Sequence, residues 1–534
     1  MTFQADAPTV ERAVQSTTIQ EFINHGKNIA YKSFGFPKSG NYAYYSPQEI
    51  GLFAEKAVCH YHSKGISTRK GAADAAVVGL VLSPGIESVV SYLALTRMGH
   101  TVLLLAPQLE AEAIQHLAHE ANCKIILNAV KDGPGYKSLR LVTLNELAQK
   151  ENLFWALKCC VLPHQDEPAV IIHSSGTTGQ PKLIPKSHRS IMEMLRNTSS
   201  ALHDKNILVG SWLHWLGGYC MMLFAFVKCG SHVCWPSEDC ANSRESAKNI
   251  ILQTNPDIVV CNSWLLMSAV HDVEALEALK RCSLVTNIGG VLPPAVAGIL
   301  TQNGVRLTTG YGMSELPLSL SSTANAGDLL FWDYLQIVPS MALHLRFRLL
   351  REEEGNTENG NERFYELIIL PSLPGMDKKW ATDSDGSHHT GDIFIKHPTQ
   401  ESYRCLGRLT DMVRVAPNST DVIPLHARTY ESIIESHCTE IIDAAVLYGD
   451  ERPSVVILLF VRCSATTLSD ERIIDKVWSV IESEAQTAQM ASLVELKKAM
   501  LVVIRDQKVP RTSKGDVVRA QTFLQFSSFI DSVL

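Results

Sequence analysis

The sequence predicts an α/β fold with parallel sheets, and three observations carry that prediction. Short apolar runs recur along the chain, helix-period stretches separate them, and glycine or small polar residues follow their carboxyl ends. That order fits strand–helix–strand crossovers, which bind ligands at the carboxyl ends of parallel strands. A chain of 534 residues is also too long for one hydrophobic core, so several domains are expected.

The first unit is "AADAAVVGLVLSPGIESVVSYLALTRMGHTVLLLAP", read as strand, turn, helix and strand. Its strands are "AVVGLVL" and "TVLLLA", and the stretch between them carries apolar residues at three- and four-residue spacing. "CKIILNA" and "AVII" supply further strands. "PDIVVCNS", "SLVTNIGG" and "VRLTTGYG" are apolar runs that end in glycine or polar residues. "REEEGNTENGNERF" (351–364) is polar and rich in Gly and Asn, as an exposed loop is.

The texture changes after "YRCLGRLTDMVRV", near residues 406–411. Beyond it come a helix, "ARTYESIIESH", strands "DAAVLYG" and "SVVILLFV", a long helix, and a strand in "AMLVVIRD". We therefore divide the chain into a large portion, 1–408, and a small α/β domain, 409–534.

Composition narrows the partners. A net charge of −7 gives no electrostatic reason to expect nucleic acid or an anionic membrane. The thirteen cysteines are irregularly spaced, matching neither a zinc site nor a closed disulfide framework. They read as buried thiols of a reducing compartment. The start, "MTFQADAPTVERAV", lacks the basic and apolar regions of a signal peptide. The longest apolar run, "WLGGYCMMLFAFV", falls short of the ~20 residues that span a bilayer. A cytoplasmic protein is expected.

The chemistry gathers in the loops. "IIHSSGTTGQPKLIPKSH" (171–188) follows a strand, as a phosphate loop does. Its glycines let backbone N–H groups approach an anion, and its hydroxyls add donors. It lacks the Gly-Lys-Ser/Thr of a Walker loop.

"SSGTTGQPK" resembles the signature loop of the adenylate-forming enzymes: acyl-CoA ligases, luciferases and adenylation domains of nonribosomal peptide synthetases. Further motifs follow in that family's order: "HWLGG", "GGVL", "GYGMSE", "TGD" (390–392), "GRLTD" (407–411) and "PRTSKGDVVR" (510–519). The resemblance covers nearly the whole chain. In finer texture the chain is similar to adenylation domains of fungal synthetase-like proteins and carboxylic acid reductases, with no carrier or reductase domain expected here.

The resemblance implies roles for particular residues. Ser174, Ser175, Gly176, Thr177, Thr178, Gly179 and Lys182 would hold the phosphates of ATP. Glu315 would bind Mg²⁺, a hard cation suited to carboxylate oxygen. Ser314 stands where Thr is usual and keeps a hydroxyl for the α-phosphate. Tyr311, with Gly312 beside it, would stack on adenine, and Gly289 and Gly290 would leave room for the base. Asp392 would accept from the ribose hydroxyls, assisted by Arg408. Together these imply attack of a carboxylate on the α-phosphate, giving an acyl-adenylate and pyrophosphate.

The family's bridging lysine usually follows the Gly of its last motif, where this chain has Asp516. Lys514, two residues earlier, is the candidate in its place. Thr410 occupies the usual hinge position, and no glycine occurs soon after "GRLTD" in "MVRVAPNSTDVIP", which puts thioester formation with CoA in question. His214, Trp215, Gly217 and Gly310 would line the acid pocket. His214 stands where enzymes acting on α-amino acids carry an Asp for the ammonium, so an aryl or other apolar acid is expected. The acceptor is CoA, a carrier-protein thiol or an amine. The competing reading is a non-catalytic nucleotide-binding relative, supported by Asp516 and the missing hinge glycine.

Overall fold

A computed structural model describes the chain except for residues 1–10, 14, 27–28, 30, 39–40, 72–73, 84, 150–161, 175–180, 197–201, 203, 228–231, 237–243, 317–318, 351–362, 374–375, 377–379, 416–422, 439, 463–466, 486–499, 512–516 and 534. The polar stretch 351–364 therefore lies outside the described residues up to 362, and Phe364 opens a strand.

Two large sheets form the first portion, and the apolar runs supply their centres. The six-stranded sheet runs in the order Lys137–Leu139, Ile125–Leu127, Val77–Val81, Thr101–Leu105, Pro168–His173 and Leu183–Ser187. All neighbours pair in parallel except the last two, which are antiparallel. Val77–Val81 and Thr101–Leu105 are buried after their first residue. Burial on both faces is why such strands read as unbroken apolar runs rather than alternations. The helix Ile86–Arg97 between them is buried at nearly every position.

The second sheet changes character along its width. Phe34–Lys38, Val233–Cys234, Ile207–Gly210, Ile258–Cys261, Leu284–Ile288 and Leu307–Tyr311 form a parallel run. Beyond Leu307–Tyr311 the pairing turns antiparallel, through Leu320–Ser321, Tyr334–Ile337, Tyr403–Arg408, His388–Lys396, Phe364–Ile369 and Leu345–Leu349. Local signals fix the helices that flank the sheets. Ser46 and Glu49 form a reciprocal capping box ahead of Pro47–Ser63, and Asp272 caps Val273–Arg281 through the Ala275 N–H.

From Val413 onward the chain builds two cores of its own, one around Ile434, Leu447 and Val477 and one around Val446, Phe460 and Ile530. A ribbon, Met412–Val415 with Ile423–His426, precedes a three-stranded sheet of Ile442–Tyr448, Val456–Val461 and Leu501–Ile504. The helix Ala427–His437 coincides with "ARTYESIIESH" and touches both this sheet and the helix Pro294–Gln302 of the large portion. The described cysteines are free thiols, with Cys123, Cys234, Cys261, Cys282 and Cys438 buried. Among the described residues, no helix is long and apolar enough to cross a membrane.

Candidate active site

Four loops that carry the sequence motifs leave from carboxyl ends of parallel strands. Ser174 follows Pro168–His173, Trp212–His214 follow Ile207–Gly210, Gly289 follows Leu284–Ile288, and the turn at Glu315 follows Leu307–Tyr311. Ser174 donates its N–H to the Lys182 carbonyl at 3.0 Å, so the flanks of the signature loop are neighbours. Ser175, Gly176, Thr177, Thr178 and Gly179 lie outside the described residues.

One polar cluster joins motif residues 81 and 16 positions apart. Tyr311 donates its hydroxyl to Asp392 Oδ2 at 2.5 Å. Arg408 Nε lies 2.9 Å from Asp392 Oδ1, and its Nη1 donates to the Thr390 carbonyl at 3.0 Å. Strand pairing makes the meeting possible, because Asp392 stands opposite Arg408 in neighbouring antiparallel strands. Asp392 is 6% exposed, and burial pushes its carboxyl above the ordinary value against the pull of Arg408 and the Tyr311 hydroxyl. Burial and the Asp392 carboxylate together raise the Tyr311 hydroxyl well above the usual phenol range.

A residue absent from the sequence motifs shapes this cluster. Glu366, 3% exposed, accepts from Arg348 Nη2 at 2.7 Å, from the Gly391 N–H at 3.0 Å, and lies 2.9 Å from His389 Nδ1. Gly391 has φ +69, which a side-chain-bearing residue rarely adopts, so the irregularity in the strand His388–Lys396 just before Asp392 needs glycine.

The turn at Gly289 and Gly290 is similarly demanding. Gly289 has φ +76, and a Cβ there would stand 2.6 Å from Asn262 Nδ2. Gly290 faces open space, and its carbonyl accepts from Asn287 Nδ2 at 2.7 Å. The side-chain oxygens of Asn262 and Asn287 are buried without a hydrogen-bond partner among the described residues. These orphaned acceptors are suited to the amino group of a base.

Glu315 sits on a tight turn after Tyr311. Met313 and Leu316 exchange N–H···O bonds of 3.0 and 3.1 Å, which leaves Ser314 and Glu315 at the tip, both half-buried. Gly312 is exposed beside this turn, whereas Gly310 is buried in the strand, paired with Ile288 and Ser321. Among the described residues the Glu315 carboxylate makes no hydrogen bond or ion pair, so a hard anionic oxygen remains available for a cation. No cluster of three or more metal-ligating side chains occurs among the described residues. A cation at Glu315 would take its remaining oxygens from phosphate and water, as Mg²⁺ commonly does.

His214 and Trp212 line a cavity with Phe36, Leu82, Ser83 and Trp235. His214 is 4% exposed, stacks on His173 at 6.2 Å between centroids, and meets the edge of Trp215 at 5.5 Å. Trp215, Gly217 and Gly310 do not line this cavity. The glycine that matters sterically is the next one. A Cβ on Gly218 would stand 2.2 Å from the Trp212 carbonyl, whereas one on Gly217 would make ordinary contacts at 3.5 Å or more.

Lys514 and Asp516 lie outside the described residues; Arg511 and Val517, which flank them, form an antiparallel bridge. Thr410 is exposed. On its far side Asp411 Oδ1 lies 3.1 Å from Arg519 Nε, and Arg519 also reaches Glu431 and the Leu447 carbonyl.

Comparison with known proteins places the chain in a family. A family model described as AMP-binding enzyme matches residues 58–362, and one described as AMP-binding enzyme C-terminal domain matches 420–534. The chain is 24% identical over 480 residues to the adenylate-forming reductase stbB of Stachybotrys bisbyi, covering 86% of this chain and 43% of that protein. It is 26% identical over 393 residues to the adenylate-forming reductase Nps11 of Serpula lacrymans, covering 69% and 34%. The chain thus spans less than half the length of these relatives. Its fold is shared with the A domain of a carboxylic acid reductase from Segniliparus rugosus, solved with AMP and a co-purified carboxylic acid. That likeness has a TM-score of 0.76 at 12% identity over 99% of this chain and 96% of the other. The anthranilate CoA ligase AuaEII, solved with anthranoyl-AMP, gives a TM-score of 0.71 at 14% identity over 97% and 98%.

Proposed function

The chain belongs to the AMP-binding enzyme family of adenylate-forming enzymes, and from that premise we propose that it activates an aryl or other apolar carboxylic acid, not an α-amino acid, to an acyl-adenylate. One observation carries the reading. Tyr311, Asp392 and Arg408 form a bonded cluster within electrostatic reach of Glu315, which sits on the next turn. Nothing in a purely structural role requires a buried carboxylate at that position with an uncommitted one nearby.

In this reading Tyr311 offers its ring to adenine, and Asp392 accepts from the ribose through lone pairs left beside Tyr311 and Arg408. Lys182 and the Ser174 loop hold the outer phosphates, with Ser314 at the α-phosphate. Mg²⁺ at Glu315 would supply charge neutralisation for the triphosphate. The acid enters against His214 and Trp212, where aromatic walls exclude water and, among the described residues, no carboxylate lines the cavity to hold an ammonium. Its carboxylate attacks the α-phosphate while Lys514 spans the two groups, and pyrophosphate leaves. The protein's contribution is positioning and charge compensation. Transfer to CoA, a carrier-protein thiol or an amine then follows.

The test is pyrophosphate release with MgATP over a panel of aryl, aliphatic and amino acids, with hydroxylamine as acceptor. Release is expected with apolar acids and is expected to be lost in Lys514→Ala. Silence across the panel with ATP binding intact would favour the non-catalytic relative instead.

The small domain, 409–534, acts as a lid in this reading. Arg408 is tied to the large portion through Asp392 and Thr390, and Asp411 is tied to the small one through Arg519. Only Leu409 and Thr410 separate these anchors, so the pivot falls on them. A disulfide engineered across the helices Pro294–Gln302 and Ala427–His437 should stop turnover until it is reduced. Equal turnover in the locked and reduced forms would remove the lid from the mechanism.

A further inference from the structure

Lys186 is a buried cation beside the candidate site with no role in the proposed reaction. It follows the signature loop by a few residues, in the strand Leu183–Ser187, where Ile184 and Lys186 are buried and their neighbours are half-buried. Lys186 therefore takes a position that the alternation assigns to an apolar side chain. It is 4% exposed, and among the described residues no carboxylate oxygen lies within ion-pair distance of its amine. Burying an ammonium costs several kcal/mol unless hydrogen bonds and nearby charge offset it.

Its one described hydrogen bond shows where the compensation goes. Lys186 Nζ donates to the Glu315 carbonyl at 2.6 Å, across 129 residues of sequence. That carbonyl lies at the tip of the turn closed by Met313 and Leu316, between the half-buried Ser314 and Glu315 side chains and the core residue Leu316. The amine also borders a small cavity with Glu315, Trp380 and His388. A charged donor to a backbone acceptor makes a strong bond, and it fixes the peptide from which the Glu315 side chain departs.

We propose that Lys186 is a positioning residue, whose buried amine holds the Ser314–Glu315 turn and so aims the Glu315 carboxylate at the cation that accompanies the nucleotide. The inference rests on the adenylation reading for the role of Glu315, but its test reads binding rather than turnover.

Lys186→Met keeps the volume of the side chain and removes the donor. ATP affinity is measured by calorimetry with Mg²⁺ and again with EDTA, for the wild type and the variant. The gain in affinity that Mg²⁺ confers should fall roughly 10-fold in Lys186→Met, as when the support of a metal ligand is lost, while affinity in EDTA stays unchanged. The same magnesium gain in both proteins, or equal losses with and without Mg²⁺, would overturn the proposal. So would a wild type with no magnesium gain at all. Should the Met variant fail to fold, Lys186→Ala with added propylammonium supplies the cation reversibly. The amine should then raise ATP affinity with Mg²⁺ and not with EDTA; an equal effect in both overturns the proposal. A wild type that binds MgATP with a magnesium gain yet releases no pyrophosphate with any acid would sink the functional reading alone.

Discussion

Asp392 and His214 are both buried, at 6% and 4% exposure, yet their surroundings differ in kind. Asp392 has each oxygen engaged by a named donor, Arg408 on one and Tyr311 on the other. His214 lies among rings, with His173 stacked on it, Trp215 edge-on and the Trp212–Trp235 cavity beside it. In the proposed reading the nucleotide side is thus specified by directed hydrogen bonds, and the acid side by the shape of a largely aromatic wall. Directed bonds fail sharply when one atom changes, whereas walls shift preference gradually. The two sides should therefore answer mutation differently.

The largest effect is expected at Asp392. Asp392→Asn keeps the shape but removes the negative charge that would accept from the ribose hydroxyls, and losing charge-assisted hydrogen bonds of this kind costs about 3 kcal/mol. The KM for ATP should rise roughly 100-fold, because 1.4 kcal/mol is a factor of ten. The order of preference among acids should not change. A variant whose acid preference moved while its KM for ATP held would erase the distinction between the two sides.

Trp212 should give the complementary result at smaller size. It lines the cavity and stacks on Trp264 with ring centroids 6.5 Å apart. Trp212→Leu should alter the ratio of kcat/KM between a large and a small acid by roughly 10-fold, the scale of a few methylenes in an apolar pocket. ATP affinity, measured by calorimetry, should match the wild type. A parallel loss of ATP affinity would show that the wall also supports the nucleotide.

The same contrast governs what the sequence made legible. "DIVVC", "LVTNI" and "RLTTGY" became neighbouring parallel strands although only the strand of the first, Ile258–Cys261, is apolar throughout. In the other two Val285, Asn287, Leu307, Thr308 and Gly310 are buried while Thr286 and Thr309 are half-buried, so a few apolar residues ahead of a polar end were enough to mark each strand. Tyr311, Asp392 and Arg408 were legible because short motifs mark all three, although only the sheet register brings them together. Lys186 and Glu366 had no such marker. Their partners lie 129 and 25 residues away, and a lysine in "LIPKS" looks like any other until burial is known. The alternation of Ile184 and Lys186 on one face was the available signal. The acid side was readable only as aromatic, since the cavity draws Phe36 and Trp235 from elements remote from "SWLHWLGGY".

The smallest effect separates two adjacent glycines. "HWLGG" singles out Gly217 for the acid pocket, yet Gly217 is exposed and a methyl there would meet only Ile288 and Ser211, at 3.5 and 3.6 Å. Gly218 is buried at the start of the helix Leu216–Ala225, packed against the Ser211 and Trp212 carbonyls, where a methyl would lie within 2.7 Å of both. Backbone cannot yield as a side-chain tip can, so Gly218→Ala should cost about 1–3 kcal/mol and move the Trp212 turn. Gly217→Ala should change stability by about 0.5 kcal/mol or less, since Ala's better helix propensity offsets ordinary contact. Urea denaturation of both variants, read with acid selectivity, orders them. Equal stability would mean that the helix slides away from Trp212 without cost, and the wall of the acid site would then be soft where the nucleotide cluster is fixed.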